Sequence, residues 1–393
     1  MSKKVFSYKG SIPASKSIMN RLLAVQSFEP NLKILGSSQC DDVVLMTKAM
    51  QDLIEKNEAY CGSAGTVLRF SAFVASRKKA KLKLTGTKRL FSRPSEEFLN
   101  IMQQLGVSCE VFEDYMMIDS NDWQYSDKPI LVDRSRSSQF ISGLALSSWG
   151  LPKDICFHWR GEVASDGYLQ MTLKILKDLG MELEETGNSL TIKAQQKPQV
   201  KQMLAESDMS SCFAVAAIAS VCGQAVFENY PTNSLQPDSA FVDILKQMNV
   251  DLKSDDSKLF VSKTQSLKAV KYNLNDTPDL FPVLAVLCSF AEGDSELHGA
   301  HQLSYKESDR LVKTEELLDL MGKEHSRIDG GLKVKGSSLA QGSFEYSTDE
   351  DHRLAFAAAL AAYMGYDVKL DDVDVVNKSF PEFWDIVQLD LKK

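Results

Sequence analysis

The feature that most constrains the fold is a repeated pattern in which a helix leads into two short strands. In each copy a helical segment ends in an apolar residue followed by Gly or Asn, and β-prone runs come next. Gly or Asn at that point supplies the left-handed conformation that closes a helix. Four copies lie about 70 residues apart, a spacing longer than that of common solenoid repeats: they are 98–107, 173–181, 241–250 and 317–322.

Turn residues separate the β-prone runs after three of these copies, at 185–188, 254–257 and 329–331. Gly, Asn, Asp and Ser at such positions are typical of hairpins. The pattern therefore predicts a recurring unit of helix, strand, turn and strand.

Other helical segments are apolar on most sides. Segments 140–146, 213–221 and 281–290 are rich in Ala, Leu and Val and carry few charges. Because a helix that is apolar all round must be buried, these segments predict sheets packed outside helices, the reverse of the usual α/β layering. Two ordinary α/β sandwiches are the alternative. The longest apolar runs are too short to span a bilayer.

Composition limits the classes of partner. A chain of 393 residues predicts two domains, with junctions expected near 11–15 and 204–208. The net charge of −8 argues against nucleic-acid or acidic-membrane partners, so a positive site must be local. Seven Cys without Cys-x-x-Cys spacing indicate free thiols in a reducing compartment. No apolar signal core follows the first residues, so a cytoplasmic location is expected.

The densest polar cluster is 306–310, Lys-Glu-Ser-Asp-Arg, with Asp279 a short way upstream. It holds two cations and two carboxylates within five residues and leads into a helical pattern. Backbone N–H groups point outward at a helix entrance, so such a cluster can hold an anion and move a proton in one place. Taken alone, the same cluster is also typical of a solvated helix start.

Further cations, hydroxyl groups and glycines stand before helical patterns elsewhere. Each of these motifs alone fits a capped helix or a tight turn. Segment 61–69 is Gly-rich but is neither a Walker loop nor a dinucleotide fingerprint. Together, cations at helix entrances beside a few carboxylates predict a site for two anionic substrates. The motifs are 15–21, 61–69, 89–94, 135–139, 351–353 and 378–381.

These motifs, in this order, resemble the 5-enolpyruvylshikimate-3-phosphate (EPSP) synthase family, the 3-phosphoshikimate 1-carboxyvinyltransferases. The resemblance covers nearly the whole chain. It implies a two-domain inside-out α/β barrel, in which each domain has three βαβαββ-like repeats with helices buried inside. Domain I would comprise 1–14 plus 207–393, domain II would comprise 15–206, and the active site would lie in the cleft between them.

The resemblance also implies a reaction. The enolpyruvyl group of phosphoenolpyruvate is transferred to the 5-hydroxyl of shikimate 3-phosphate, and phosphate is released. The reaction belongs to the shikimate pathway, which supplies chorismate and the aromatic amino acids. We expect no metal or organic cofactor, a monomer, domain closure over the substrates and competition by glyphosate.

Roles follow position by position from the same resemblance. Asp279 is expected to act as the base toward the hydroxyl, Glu307 as the proton donor toward the methylene carbon, and Lys16 as a third catalytic residue. Shikimate 3-phosphate would be bound by Lys16, Ser17, Arg21, Ser137, Ser138, Gln139, Ser165, Tyr168, Asp279 and Lys306. Phosphoenolpyruvate would be bound by Lys16, Gly65, Arg93, Gln139, Arg310, Arg353 and Lys378.

The sequence departs from the family pattern at three places. Ser63 stands where Asn is usual, Phe70 where Pro is common, and 302–305 where Asn-Trp-Arg-Val is familiar. Two alternatives stay open at this point. One is a carboxyvinyl transferase acting on a UDP-amino-sugar, and the other is a homologue that binds ligands without catalysis.

Overall fold

The computed structural model describes residues 5–135, 137–161, 163–255, 257–337 and 342–393. Arg136, in a predicted polar run, and Asp256, in a predicted turn, lie outside the described residues. The chain divides into two compact units, unit 1 (Met1–Ser15 with Glu206–Lys393) and unit 2 (Lys16–Ala205). Each division lies one residue from the boundary that the family resemblance implies.

Short strands and helices alternate along both units. Among the described residues the strands are β1 (Phe6–Gly10), β2 (Lys33–Leu35), β3 (Glu58–Tyr60), β4 (Lys79–Thr85), β5 (Ser108–Val111), β6 (Tyr115–Asn121), β7 (Ile130–Asp133), β8 (Ile155–Arg160), β9 (Leu183–Thr186), β10 (Ser189–Ile192), β11 (Gln202–Leu204), β12 (Gly223–Phe227), β13 (Asp251–Asp255), β14 (Lys258–Ser262), β15 (Lys271–Asn273), β16 (Asp294–His298), β17 (His325–Ile328), β18 (Gly331–Lys335), β19 (Ser343–Tyr346) and β20 (Asp367–Leu370). The α-helices are α1 (Lys16–Gln26), α2 (Asp41–Glu55), α3 (Gly65–Ser76), α4 (Lys88–Phe91), α5 (Glu96–Gln104), α6 (Gln139–Leu146), α7 (Asp166–Asp178), α8 (Met209–Cys222), α9 (Phe241–Gln247), α10 (Phe281–Cys288), α11 (Arg310–Leu320), α12 (His352–Tyr363) and α13 (Phe383–Val387). Short 3₁₀ helices cover Pro237–Ala240, Pro278–Leu280, His301–Tyr305 and Asp374–Lys378.

Sheet topology repeats within each unit. In unit 2 the strand orders are β3-β4-β6-β5 and β7-β8-β10-β9, and in unit 1 they are β1-β12-β14-β13 and β15-β16-β18-β17. In all four sheets the first two strands run parallel and the last two form an antiparallel hairpin. Each sheet thus matches the predicted βαβαββ-like unit. A helix joins the parallel strands in three of the sheets, whereas unit 2 and α8 lie between β1 and β12 in the chain.

A third, smaller sheet completes each unit. Strands β2 and β11 pair in parallel in unit 2, and β19 and β20 do so in unit 1. Neither sheet has a hairpin attached among the described residues. The third repeat therefore stops after its second strand, which agrees with the four copies, and not six, of the helix-to-hairpin pattern in the sequence.

Three helices form the centre of each unit. In unit 1, α8, α10 and α12 contact one another, and every residue of α10 is buried. In unit 2, α1, α3 and α6 contact one another in the same way. Strands alternate buried and exposed residues, as in β6, so one face of the sheet lies on this helical core. The inside-out prediction is confirmed, and the alternative of two ordinary α/β sandwiches is rejected.

The predicted helix ends are also confirmed. Gly106, Gly180, Asn249 and Gly322 follow helices α5, α7, α9 and α11, and they adopt φ of 68°, 91°, 67° and 65°. This left-handed conformation is the one that the sequence pattern required. In the part of the chain that the structure describes, no helix combines the length and apolar character needed to cross a bilayer.

Candidate active site

Aspartates stand at the entrances of the central helices of unit 1. Asp351 caps α12 and accepts a hydrogen bond from the backbone N–H of Arg353 at 3.0 Å. Asp208 caps α8 and accepts one from the N–H of Ser211 at 2.8 Å. Asp279 lies in the 3₁₀ helix directly before α10. Unpaired N–H groups and the positive end of the helix dipole favour a carboxylate at each position.

A single buried guanidinium ties this region together. The side chain of Arg310 is 1% exposed, and its Nη1 lies 2.6 Å from Asp279 Oδ1. Its Nη2 lies 3.0 Å from Glu307 Oε2, and its Nε lies 2.7 Å from Asp351 Oδ2. Burial alone would lower the pKa of Arg310, but Asp351, Asp279 and Glu307 outweigh burial and raise it well above its usual range. Arg310 is therefore permanently charged and rigidly held.

Asp279 is in turn surrounded by cations. Arg353 Nη2 lies 2.9 Å from its Oδ2, and Lys306 Nζ lies 3.4 Å from its Oδ1. Burial would raise the pKa of Asp279, but Lys306, Arg353 and Arg310 together hold it well below the usual range. We call Asp279, Lys306, Glu307, Arg310, Asp351 and Arg353 the Asp279 cluster. Anionic ligands that attracted these cations would weaken their effect on Asp279 and raise its pKa.

The cluster retains unused donor capacity. Arg353 Nε is buried and has no hydrogen-bond partner among the described residues. Lys378 is also buried, in the 3₁₀ helix Asp374–Lys378 that contacts α12. A buried donor without an acceptor costs free energy, so Arg353 Nε beside this cationic cluster is suited to binding an anionic ligand.

Unit 2 places arginines against a glycine at the entrance of α3. A Cβ built on Gly65 would stand 2.8 Å from Arg93 Nη1 and 3.8 Å from Arg69 Nη1. The residue before it, Ala64, provides no side-chain cap for the helix. The Nε of Arg93 is buried without a hydrogen-bond partner among the described residues. Uncapped N–H groups and two guanidinium groups in one place form an anion-binding arrangement.

Gln139 connects the entrances of α3 and α6. Its Oε1 accepts a hydrogen bond from Arg69 Nη1 at 2.6 Å, and its Nε2 donates to Thr66 Oγ1 at 3.1 Å. Its backbone N–H donates to Ser137 Oγ at 3.1 Å, while Ser138 is buried at the cap position of α6. The carboxamide is thus held at both ends.

Arg21 is buried among neutral groups. Its Nε donates to Thr172 Oγ1 at 2.7 Å, its Nη1 to the carbonyl of Ser17 at 2.7 Å, and its Nη2 to the carbonyl of Tyr168 at 3.2 Å. Burial lowers the pKa of Arg21 to about 10, which still leaves it charged at neutral pH. A buried cation with only neutral acceptors in the described part of the chain suits an anionic ligand.

Two further predicted residues lie at helix entrances of unit 2. Lys16 Nζ pairs with Asp42 Oδ2 at 3.0 Å, and the side chain of Asp42 is 5% exposed. Ser165 precedes α7 with φ of 56°, a left-handed conformation that is unusual for Ser. Such backbone strain is typical of functional sites.

Several contributors were given no individual role from the sequence, although Thr66, Arg69 and Asp351 lie in the predicted motifs 61–69 and 351–353. Asp42, Thr66, Arg69 and Asp351 each hold a predicted site residue through the contacts above. Arg69 had a sequence signal, because it follows Gly65 by four residues on one face of a helix. The pairing of Asp42 with Lys16 is recognisable only from the structure.

The structure describes the surroundings of two of the three departures from the family pattern. Phe70 lies 5.4 Å from the guanidinium of Arg21, a cation–π contact that stabilises the buried charge. Gln302 donates to the carbonyl of Asn275 at 2.8 Å, whereas Tyr305 is exposed.

Comparison with known proteins identifies the family. A family model described as EPSP synthase (3-phosphoshikimate 1-carboxyvinyltransferase) matches residues 18–387. This chain belongs to the EPSP synthase family. A 3-phosphoshikimate 1-carboxyvinyltransferase from Syntrophobacter fumaroxidans is 26% identical over 401 residues, covering 95% of each chain. One from Methanocaldococcus jannaschii is 29% identical over 332 residues, covering 83% of this chain and 77% of that relative. The chain is thus a member of a family of enzymes that transfer carboxyvinyl groups.

Solved structures agree on the fold. An EPSP synthase from Acinetobacter baumannii superposes with a TM-score of 0.78 at 21% identity, covering 100% of this chain and 97% of that one. The enolpyruvyl transferase NikO from Streptomyces tendae gives 0.73 at 12% identity, covering 98% and 95%. The EPSP synthase fold predicted from the sequence is therefore confirmed.

Proposed function

We propose that this EPSP synthase family member transfers the enolpyruvyl group of phosphoenolpyruvate to the 5-hydroxyl of shikimate 3-phosphate. The observation that carries this proposal is the Asp279 cluster, in which Lys306, Arg310 and Arg353 surround one carboxylate. The cluster also leaves a buried Arg353 donor unused within the described residues.

The charge of the substrates explains why so many cations are needed. Together the two substrates carry up to roughly six negative charges near neutral pH, given second phosphate pKa values of about 6. The chain itself has a net charge of −8, so its cations must be concentrated where these substrates meet. Arg310 and Arg353, with Lys378, would hold phosphoenolpyruvate from unit 1, and Gly65 with Arg93 would hold it from unit 2.

The acceptor would bind mainly to unit 2. Arg21 offers a buried charge, and Ser17 and Tyr168 lie against it through their carbonyl groups. Hydroxyl and amide groups at the entrances of α6 and α7 suit a phosphorylated polyol: these are Ser137, Ser138, Gln139 and Ser165. Lys16 and Lys306 would neutralise charge on either side of the acceptor.

The chemistry requires one proton to leave the acceptor and one to reach the enol carbon. We propose that Asp279 accepts the proton of the 5-hydroxyl while the hydroxyl oxygen bonds to C2 of phosphoenolpyruvate. Glu307 gives a proton to the methylene carbon C3. The C2–O bond to phosphate then breaks, the leaving phosphate takes the proton held by Asp279, and C3 returns its added proton to Glu307, so the product keeps its double bond.

Electrostatics makes Asp279 suited to the role of base. In the free protein, neighbouring cations depress its pKa, and it is ionised but weakly basic. Substrate anions would compete for Lys306 and Arg353 and so raise that pKa toward the operating pH. The acidity of the carboxyl group would thus be set by the presence of both substrates.

We further propose that the two units close over the substrates. The two chain crossings run side by side, because Ser15 N–H donates to the carbonyl of Glu206 at 2.7 Å and Ala14 pairs with Ser207. The chain crosses between the units twice, and a pair of crossing segments is suited to a hinge. Closure would exclude water and strengthen every charge interaction inside.

Three finer expectations belong to the same proposal. Glyphosate, a small anion, would compete at the Gly65 and Arg93 position. All seven cysteines are present as thiols and not as disulfides, which supports a reducing, cytoplasmic compartment. We also expect a monomer.

An acceptor panel tests the function. Phosphate release is measured with phosphoenolpyruvate plus shikimate 3-phosphate, a UDP-amino-sugar, or no acceptor. The proposal predicts release with shikimate 3-phosphate alone. Release only with the sugar nucleotide would assign another transferase activity, and tight binding without release would make the chain a non-catalytic homologue.

A further inference from the structure

Arg134 is a buried arginine of unit 2 that the proposed mechanism does not use. It follows strand β7, and only 2% of its side chain is exposed. Its guanidinium pairs with the carboxylate of Asp166 and lies 4.9 Å from the ring centroid of Trp159. A buried ion pair is weak evidence for net stability, whereas it can fix one arrangement of the two segments that it joins.

Arg134 is attached to the chain on both sides of Ser165, at the entrance of α7. Its carbonyl oxygen accepts a hydrogen bond from the N–H of Ala164 at 3.3 Å, and its guanidinium holds Asp166. The carboxylate of Asp166 is fixed further by Gln170, whose Nε2 lies 3.4 Å from Oδ2. The residues immediately before and after Ser165 are therefore both tied to Arg134.

Ser165 needs such support because its backbone is strained. Its φ of 56° and ψ of 47° are the left-handed conformation, which costs free energy in a residue that has a Cβ. Strain of this kind persists only where the surrounding structure holds the residue in place. Without the attachment at Asp166, we expect Ser165 to relax toward an ordinary conformation and the first turn of α7 to shift with it.

The same arginine is connected through the chain to a second set of proposed acceptor ligands. Ser137 and Ser138 follow it by three and four residues and stand directly before α6. The proposed function assigns both of them, together with Ser165, to shikimate 3-phosphate. Arg134 thus joins the α6 entrance to the α7 entrance, and the distance between these two groups of hydroxyls depends on it.

We propose that Arg134 is a positioning residue for the acceptor, and that its pair with Asp166 holds the α7 entrance in the arrangement that binds shikimate 3-phosphate. This inference rests on the proposed function, which assigns Ser165 to that substrate, and it adds two residues to which no substrate contact is assigned. Loss of the pair should weaken acceptor binding and leave the chemical step intact, because the Asp279 cluster belongs to unit 1.

The phosphoenolpyruvate position should be affected little. Gln139 is the one residue of unit 2 after β7 that is assigned to phosphoenolpyruvate, and its side chain is held by Arg69 at 2.6 Å and Thr66 at 3.1 Å. Neither contact involves Arg134 or Asp166. A change at Arg134 should therefore separate the KM for the acceptor from the KM for phosphoenolpyruvate.

Arg134→Met is the first test. Met keeps an unbranched side chain against Trp159 but removes the charge that holds Asp166. The KM for shikimate 3-phosphate should rise at least about fivefold, since backbone strain of the usual size shifts the population of the binding conformation by about that factor. The KM for phosphoenolpyruvate, measured at saturating acceptor, and kcat should stay within about twofold. Calorimetry with shikimate 3-phosphate alone should show the same loss of affinity.

Changes at the partner decide whether Arg134 acts through the pair. Asp166 is 37% exposed, so Asp166→Asn should fold and should raise the acceptor KM by a similar factor. The double variant should be no worse than either single variant, because both changes break the same contact. Arg134→Lys, which keeps a cation near Asp166, should recover part of the affinity.

The opposite result would reveal a direct contact. The Nε of Arg134 is buried and has no hydrogen-bond partner among the described residues, so it is a donor that a ligand could engage. Losses that multiply in the double variant would mean that Arg134 binds the acceptor itself, and they would overturn the positioning role.

Arg77 offers a matched control in unit 2. It also pairs with an aspartate, Asp122 at 2.7 Å, and lies 5.1 Å from a tryptophan ring centroid, that of Trp123. It donates to the carbonyl of Ser147, at the end of α6 opposite the acceptor residues. Arg77→Met should lower Tm at least as much as Arg134→Met but keep the acceptor KM within about twofold. An equal rise in KM in both variants would indicate a general loss of packing and overturn the inference.

The outcomes separate this inference from the proposed function. A wild-type protein that neither binds nor converts shikimate 3-phosphate would refute the proposed function and, with it, the role of Arg134. Normal turnover by the wild type, with an unchanged acceptor KM in folded Arg134→Met and in Asp166→Asn, would refute the positioning role alone.

Discussion

Replacing Asp279 with Asn should affect stability and turnover in different, separable ways. The substitution keeps the shape of the side chain but removes the negative charge that faces Arg310, Arg353 and Lys306 at 2.6, 2.9 and 3.4 Å. The carboxylate is only 18% exposed, so solvent screens the loss poorly. Arg310 keeps Glu307 and Asp351 as partners, whereas Arg353 loses the carboxylate that its Nη2 contacts.

The expected loss of stability follows from the cost of leaving a buried charge without its partner. Removal of one partner of a buried ion pair typically costs about 3–5 kcal/mol. Because Arg310 keeps Glu307 and Asp351 as partners, we expect a cost near the lower end of this range. For a unit of this size, about 3 kcal/mol corresponds to a fall in Tm of about 6–12 °C. Removing the proposed base should also lower kcat by about 100-fold or more.

The pH dependence supplies a further check. The pKa of Asp279 is depressed in the folded state, so its stabilising effect is complete above the unfolded-state pKa of about 4. This stabilising contribution is lost as the pH falls from about 4 through the folded-state pKa of Asp279. The Tm difference between wild type and Asp279→Asn should therefore be largest from pH 5 to 8 and should shrink below pH 4.

Calorimetric unfolding at pH 7 and pH 3.5 measures these differences. The control is Asp329→Asn, which makes the same charge change at a side chain that is 90% exposed in the same unit. It should change the free energy of unfolding by no more than about 0.5 kcal/mol. Wild-type stability in Asp279→Asn at pH 7, or a penalty that is the same at both pH values, would refute the electrostatic account of the cluster.

Two further predictions concern unit 2. Gly65→Ala places a methyl group 2.8 Å from Arg93 Nη1, so the guanidinium must move by a few tenths of an ångström or more. The flexible Arg93 side chain can move, so the free energy of unfolding should change by less than about 1 kcal/mol. Steady-state kinetics should give a higher KM for phosphoenolpyruvate and weaker inhibition by glyphosate. Unchanged inhibition would contradict this prediction. Lys16→Ala should nearly abolish turnover and leave Asp42 buried and unpaired, at a cost of up to about 3–5 kcal/mol. Adding Asp42→Asn should restore the melting temperature without restoring phosphate release, and recovery of both would make Lys16 a structural residue.

Local pattern made much of the fold predictable. The four helix ends at Gly106, Gly180, Asn249 and Gly322 were predicted because a left-handed cap and the hairpin after it are encoded by neighbouring residues. Burial of α10 was predicted because the helix has no polar face. The smaller third sheets were not predicted, since the resemblance to a family gives a repeat number but not the length of each repeat.

The site was less predictable because its contacts join distant segments. Arg69 and Gln139 are 70 residues apart, and Arg353 and Asp279 are 74 apart. Cations at helix entrances indicated an anion site, but no periodicity indicates that Asp42 partners Lys16 or that Asp351 holds Arg310. Such pairings arise only when the central helices bring their entrances together.

The central claim is that cations from both units act on one pair of substrates. The most direct measurement is a crystal structure of the protein with shikimate 3-phosphate and a non-reactive phosphoenolpyruvate mimic. The account predicts one bound mimic contacted by Arg93 of unit 2 and by Arg310 and Arg353 of unit 1, with the 5-hydroxyl beside Asp279. Ligands held by one unit while the arginines of the other remain beyond reach would contradict it.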